Sequence, residues 1–155
     1  LSMHDFEKSK ISGQKATSMN PNDPRVISVY GETLLRLNEL EKGIEYLEKA
    51  YELDPIPQGQ TTSDRRLAAL FLAYFLKSDF DHCQKLNQDI VNIDIRTWLL
   101  NSYMFKQKEI NFDKESWFVS GFSQFKDSNW DMEVDRFHLN DDSLKNQLTD
   151  FAKHI

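Results

Sequence analysis

The chain has 155 residues, enough for one domain with a buried core, and its 39% hydrophobic and 12% aromatic content sets it apart from disordered chains. A formal charge of −6, with acids and bases interspersed, excludes an electrostatic nucleic-acid surface, which needs clustered Lys and Arg against the phosphates. Cys83 is the only cysteine; this rules out an internal disulfide and a cysteine-built zinc site, and suits a reducing, cytoplasmic compartment. The longest apolar run, Leu67 to Leu76, is about half of a membrane-spanning helix. The N-terminus also lacks the basic-then-apolar order of a signal peptide, so no membrane contact is expected of this stretch.

Taken in chain order, a first helix closes at Asn20-Pro21. Between Arg25 and Leu37, Ile27, Tyr30, Gly31 and Leu34 recur at i, i+3, i+4 and i+7, which puts them on one helix face. After Asn38-Glu39 a second stripe follows, Ile44, Leu47, Ala50 and Tyr51, ending in Leu53-Asp54-Pro55. Two short helices joined by a tight turn make a hairpin. A lone hairpin cannot bury its apolar face, so the decisive question is whether it repeats.

It does. Asn20-Pro21 and Asp54-Pro55 close successive helices with the prolines 34 residues apart, and Ala16 stands to Pro21 as Ala50 stands to Pro55. The turn recurs as His4-Asp5-Phe6-Glu7, Asn38-Glu39-Leu40-Glu41 and Ser78-Asp79-Phe80-Asp81. Phe6 and Leu40 are 34 residues apart; Leu40 and Phe80 are 40 apart, and the Gln/Gly/Thr-rich stretch Pro57 to Thr62 accounts for the additional six as an insertion between units. Over Pro24 to Pro55 the pattern resembles a tetratricopeptide repeat: Ile27, Tyr30, Gly31, Leu34, Gly43, Leu47, Ala50 and Pro55 stand where that family places its packing residues. The departure is Gly43, where alanine is usual. Leu67, Leu70, Phe71, Tyr74, Phe80 and Cys83 carry the pattern into the next unit, whose second helix departs from it at Asn87 and Ile90.

The resemblance implies an all-α fold of stacked antiparallel helical hairpins, an α-solenoid, over residues 1–126. The first repeat is expected to be incomplete, because Asp5-Phe6-Glu7-Lys8 already belongs to the turn before a second helix. Its partner helix should then lie upstream of Leu1, in a longer parent protein. Beyond residue 93 the period is lost. Ile95 to Lys106 and Lys114 to Phe125 read as a fourth, degenerate hairpin, and Asn129, Trp130 and Asp131 as a loop. A last helix opens at Asn140-Asp141-Asp142, with Leu144, Leu148, Phe151 and Ile155 on one face, and residues 127–155 are expected to form a loop and capping helix packed on the repeats. This tail resembles the ends of repeat domains fused to bacterial nucleotide cyclases and winged-helix transcription regulators. That second resemblance implies a regulatory or oligomerising domain of a signalling protein whose output domain lies upstream.

In such hairpin stacks the first helix of each unit lines the inner, concave face. The implied partner-binding residues are Arg25, Ser28, Glu32, Leu35 and Arg36 in one unit and Arg65, Ala68, Leu72 and Phe75 in the next. Glu32 would repel a carboxylate, which argues against a ligand held by its C-terminal carboxyl group. Leu67 to Leu76 is apolar on every face, and a helix apolar all round is buried all round. Its cover is expected to be the chain's own C-terminal tail in the groove, a second copy in a homodimer, or an apolar helix of a partner protein.

Catalytic and metal chemistry find little support. Asp131, Glu133, Asp135 and Asp142 approximate the spacing of a calcium loop, but Arg136 stands where that loop needs glycine. His82, Cys83 and His138 have no ligand spacing, the histidines have no nucleophile partner in the sequence, and there is no glycine-rich phosphate loop. The sequence therefore reads as a protein-interaction module, with no enzyme activity, metal or cofactor expected.

Overall fold

The computed structural model describes residues 2–55, 62–89 and 93–155, with the side chains of residues 3 and 62–65 outside the description. Most of the expected insertion Pro57 to Thr62, and Ile90, fall outside the described residues. Among those described there are nine helices and no strand. The chain divides into two compact units, Leu1–Ile90 and Val91–Ile155, so the division falls well before the expected boundary at residue 126.

The first unit is built from α1 (Met3–Met19), α2 (Pro24–Arg36), α3 (Leu40–Leu53), α4 (Thr62–Leu76) and α5 (Phe80–Asp89), each packed on the next. Their starts are set by side chains that satisfy the free N–H groups of a first helical turn. Ser2 and Asp5 form a reciprocal capping box on α1, and Asp23 accepts from the backbone N–H groups of Arg25 and Val26 with Pro24 opening α2. The recurring turn seen in the sequence is one backbone device. Asn38 and Ser78 both take left-handed φ, at 60° and 59°, and the next N–H reaches back to a carbonyl of the preceding helix, Glu39 to Leu34 and Asp79 to Tyr74, each at 2.9 Å.

At the crossing of α2 and α3 the two backbones come close because both contribute glycine. A Cβ on Gly31 would lie 2.8 Å from Leu47 Cγ and 3.1 Å from the Gly43 carbonyl oxygen. A Cβ on Gly43 would lie 2.7 Å from Leu35 Cδ2. The departure at Gly43 thus has a packing cause: the space that alanine would fill is occupied by Leu35.

The second unit consists of α6 (Ile95–Gln107), α7 (Ser116–Phe125), α8 (Trp130–Asp135) and α9 (Asp142–Lys153). α6 packs against each of the other three, and α8 against α9. At its centre Trp98, fully buried, stacks on Phe118 at 5.4 Å and on Trp130 at 6.0 Å, while Phe125 meets it edge-on at 5.8 Å. Its indole N–H donates to the Phe118 carbonyl at 3.2 Å, so the one polar atom of the ring is satisfied in the core. Two elements differ from the sequence reading. The expected loop at Asn129 to Asp131 opens the short helix α8, which Asn129 caps by accepting from the Met132 N–H. The face of α9 is centred on Leu148 and Ala152, which are buried, with Leu144, Phe151 and Ile155 half-buried at its margins.

Candidate protein-interaction surface

The nine residues singled out on the first helices fall into three groups. Arg25 is exposed, and Glu32 and Arg36 are half-buried on α2, with Ala68 half-buried on α4. Ser28, Leu35, Leu72 and Phe75 are buried, and the side chain of Arg65 lies outside the described residues. The buried four are therefore not part of an open groove in this structure. Leu35, 5% exposed, is turned onto Gly43 of α3, and Leu72 and Phe75 belong to a helix whose residues Leu67, Leu70, Phe71, Ala73 and Tyr74 are also buried. The apolar composition of α4 accords with the burial of Leu67 and Ala69–Phe75, which leaves Leu72 and Phe75 closed to solvent in this structure while Ala68 stays half-buried.

What α2 does present is a narrower stripe. Arg25, Val29, Glu32 and Arg36 are spaced i, i+4, i+7 and i+11, which places them on one face. Val29 is 59% exposed, an apolar residue set between charges of both signs. Sequence reasoning missed it, although its spacing from Arg25 and Glu32 was the available signal. At the N-terminal end of the stripe Arg25 hydrogen-bonds the Asp23 carboxylate, and this contact, with the backbone N–H groups it caps, holds the Asp23 carboxyl below the usual carboxylate range.

Links between helices fix the scaffold under that stripe. Lys10 of α1 pairs with Glu39 at 2.6 Å, and Lys77 with Glu41 of α3 at 3.3 Å. Arg66, nearly buried, donates to the Asp54 carbonyl at 2.8 Å and to its carboxylate at 2.7 Å, which ties α4 to the end of α3. The Tyr74 hydroxyl donates to Glu48; burial first, then this carboxylate, pushes the phenol well above its ordinary range. His82 stacks on the Tyr74 ring at 4.6 Å and sets Nδ1 at 2.7 Å from the Asp79 carboxylate.

Three of the four acidic residues that approximate a calcium loop are engaged with cations: Asp131 with Lys153 at 2.7 Å, Glu133 with Arg136 at 3.0 Å, and Asp135 with Lys145. Among the described residues no three His, Cys, Asp or Glu side chains come together in a way that could hold a metal ion. Cys83 is buried with its thiol directed at the Phe71 carbonyl, and burial pushes it up to about 12, the environment of an inert packing residue. No helix among the described residues is long and apolar enough to cross a membrane.

A second surface was not legible in the sequence. In the second unit α6, α7 and α9 enclose an open cleft of about 910 Å³, floored by Phe112, Phe118 and Phe151. On its edge Val119 and Phe122 stay 52% and 36% exposed.

A family model described as tetratricopeptide repeat matches residues 25–57. Residues 25–57 are a tetratricopeptide repeat. They comprise most of α2, the left-handed turn at Asn38, all of α3 and the closing Pro55. No curated protein matches the chain. Tetratricopeptide repeats are generally scaffolds that offer binding surfaces to other proteins. The exposed stripe of α2 lies within this repeat, on the first helix of its hairpin.

Proposed function

We propose that this chain is a protein-interaction module that holds a segment of another protein along α2 of its tetratricopeptide repeat, by Arg25, Val29, Glu32 and Arg36. The observation that carries this reading is the stripe itself: an exposed valine between charges of both signs, on a helix anchored from both sides by α1 and α3. Such a stripe suits a mixed-charge segment with one apolar anchor. Glu32 disfavours a free carboxylate at the centre of the stripe, so an internal segment is a better ligand than a chain end.

Selection of peptides from a random display library against the full chain tests this. Peptides that converge on an apolar anchor with flanking charges are expected, and Val29→Glu or Glu32→Lys should weaken their binding about ten-fold, or about 1.4 kcal/mol. Convergent peptides that bind both variants as tightly as the parent would place the interaction elsewhere and remove α2 from it.

A further inference from the structure

The cleft of the second unit has features that the tetratricopeptide repeat does not account for. Its volume of about 910 Å³ lies at the upper end of the roughly 300–1,000 Å³ typical of ligand sites. Its floor is aromatic: Phe112 meets Phe118 edge-on at 4.8 Å, Phe118 stacks on Phe122 at 5.9 Å, and Tyr103 meets Phe151 at 5.5 Å. The walls are three helices, and one lip is the outward stripe of α7 formed by Val119 and Phe122, spaced i, i+3. Val119 and Phe122 thus add exposed apolar surface to the aromatic floor of the cleft.

The shape and the charge narrow the occupant. A small molecule is held by walls that cover most of its surface, whereas here the aromatic lip is open to solvent. That form suits a helix laying its apolar face into a groove, with anchors at i, i+3 or i+4, and i+7. Two carboxylates, Asp113 and Asp150, stand on the rim. The C-terminal turns of α6 and α9 also border the cleft, through Tyr103 and Gln107 on one side and Phe151 and His154 on the other, and a helix C-terminus carries partial negative charge. Against these stand Lys106 and His154, whose Nδ1 lies 2.7 Å from the Asp150 carbonyl and 3.5 Å from its exposed carboxylate. A second copy of a chain with net charge −6 meets repulsion over the whole approach.

We infer that this cleft receives a basic amphipathic helix of a partner protein, whose apolar face covers Phe118, Phe122 and Phe151 while its Lys and Arg face Asp113 and Asp150. The site is separate from the α2 stripe and stands or falls independently of it.

The test uses the full chain and two dye-labelled helical peptides of about four turns, with Leu at i, i+3, i+4 and i+7 and either Lys or Glu elsewhere, followed by fluorescence anisotropy. The Leu/Lys peptide should bind at least about ten-fold tighter than the Leu/Glu peptide. Phe122→Asn should weaken it about ten-fold, and Asp113→Asn with Asp150→Asn should weaken it several-fold and flatten its salt dependence. Val29→Glu should leave it unchanged. Both carboxylates are exposed, so the paired Asn variant reads the site even if Phe122→Asn lowers the melting temperature. Equal binding of the two peptides overturns the inference. So does Leu/Lys binding indifferent to both variants, which is diffuse attraction to an acidic surface, or a dimer in sedimentation that Phe122→Asn dissociates, which assigns the cleft to a second copy.

Discussion

The two units bury comparable apolar side chains by different means. In Leu1–Ile90, helices of 10 to 17 residues pack in chain order, with glycine bringing α2 and α3 close at their crossing and ion pairs joining Lys10 to Glu39 and Lys77 to Glu41. In Val91–Ile155, helices of six to thirteen residues gather around one tryptophan and a ring of aromatic side chains. A unit of the first kind depends on helices that pack in chain order, with close backbone approach where α2 meets α3. One of the second kind depends on a few large side chains whose positions obey no period.

The largest expected effect is at the centre of the second unit. Gly121 lies against the Trp98 indole so closely that a Cβ would fall within contact distance of Cδ1 and Nε1. Gly121→Ala should destabilise that unit by about 3 kcal/mol, the upper part of the range for overpacking a core, seen as early loss of near-ultraviolet tryptophan dichroism. A loss under about 1 kcal/mol would show that the aromatic cluster yields easily and that the second unit does not depend on its large side chains.

Smaller effects are expected where backbones approach in the first unit. Gly31→Ala should cost about 2 kcal/mol, because it meets the branch point of Leu47 and the Gly43 carbonyl. Gly43→Ala gains about 1 kcal/mol of helix propensity yet should still be destabilising by about 1 kcal/mol, since Leu35 is held in the core where the new methyl would sit. Combining it with Leu35→Ala should recover part of that loss in a double-mutant cycle; strict additivity would deny that the two residues share the space.

The turns sharpen the comparison from the other side, since Ser78 and Glu109 hold left-handed φ of 59° and 57°, one in each unit. Replacing either by glycine should stabilise the chain by about 0.5 kcal/mol in thermal melts, a small gain of similar size in both. The smallest effect is the acid response. Hydrogen bonds and neighbouring cations hold the carboxyls of Asp23, Asp79 and Asp135 below their ordinary range. Their stabilisation is therefore complete above about pH 4 and is lost as pH falls through their still lower native values. Melting temperature should stay level from pH 7 to 5 and fall below about pH 4, and Asp79→Asn should shrink that fall.

How much was legible follows from the same contrast. The hairpin of α2 and α3 could be read residue by residue, because Ile27, Tyr30, Leu34, Leu47 and Ala50 keep a fixed spacing and all are buried. The identity of the turn was legible too, although its left-handed backbone was not, since asparagine favours that conformation and serine does not. The short helix α8 was hidden because six residues show less than two turns of periodicity. At the candidate site, the sequence placed Leu35, Leu72 and Phe75 on an inner face by position alone. In the structure all three are buried: Leu35 lies against Gly43, and Leu72 and Phe75 belong to α4, whose apolar composition already pointed to burial. Val29 and the cleft beside Phe122 escaped notice because a single exposed apolar side chain is ordinary in any sequence, and only its neighbours in space give it meaning.

The most direct test of the central claim, that the repeat binds its partner along α2, is amide chemical-shift mapping of the full chain titrated with a selected peptide. The largest shifts are expected at Arg25, Val29, Glu32 and Arg36, with smaller changes elsewhere. Saturable binding that leaves those four amides unmoved would contradict that claim.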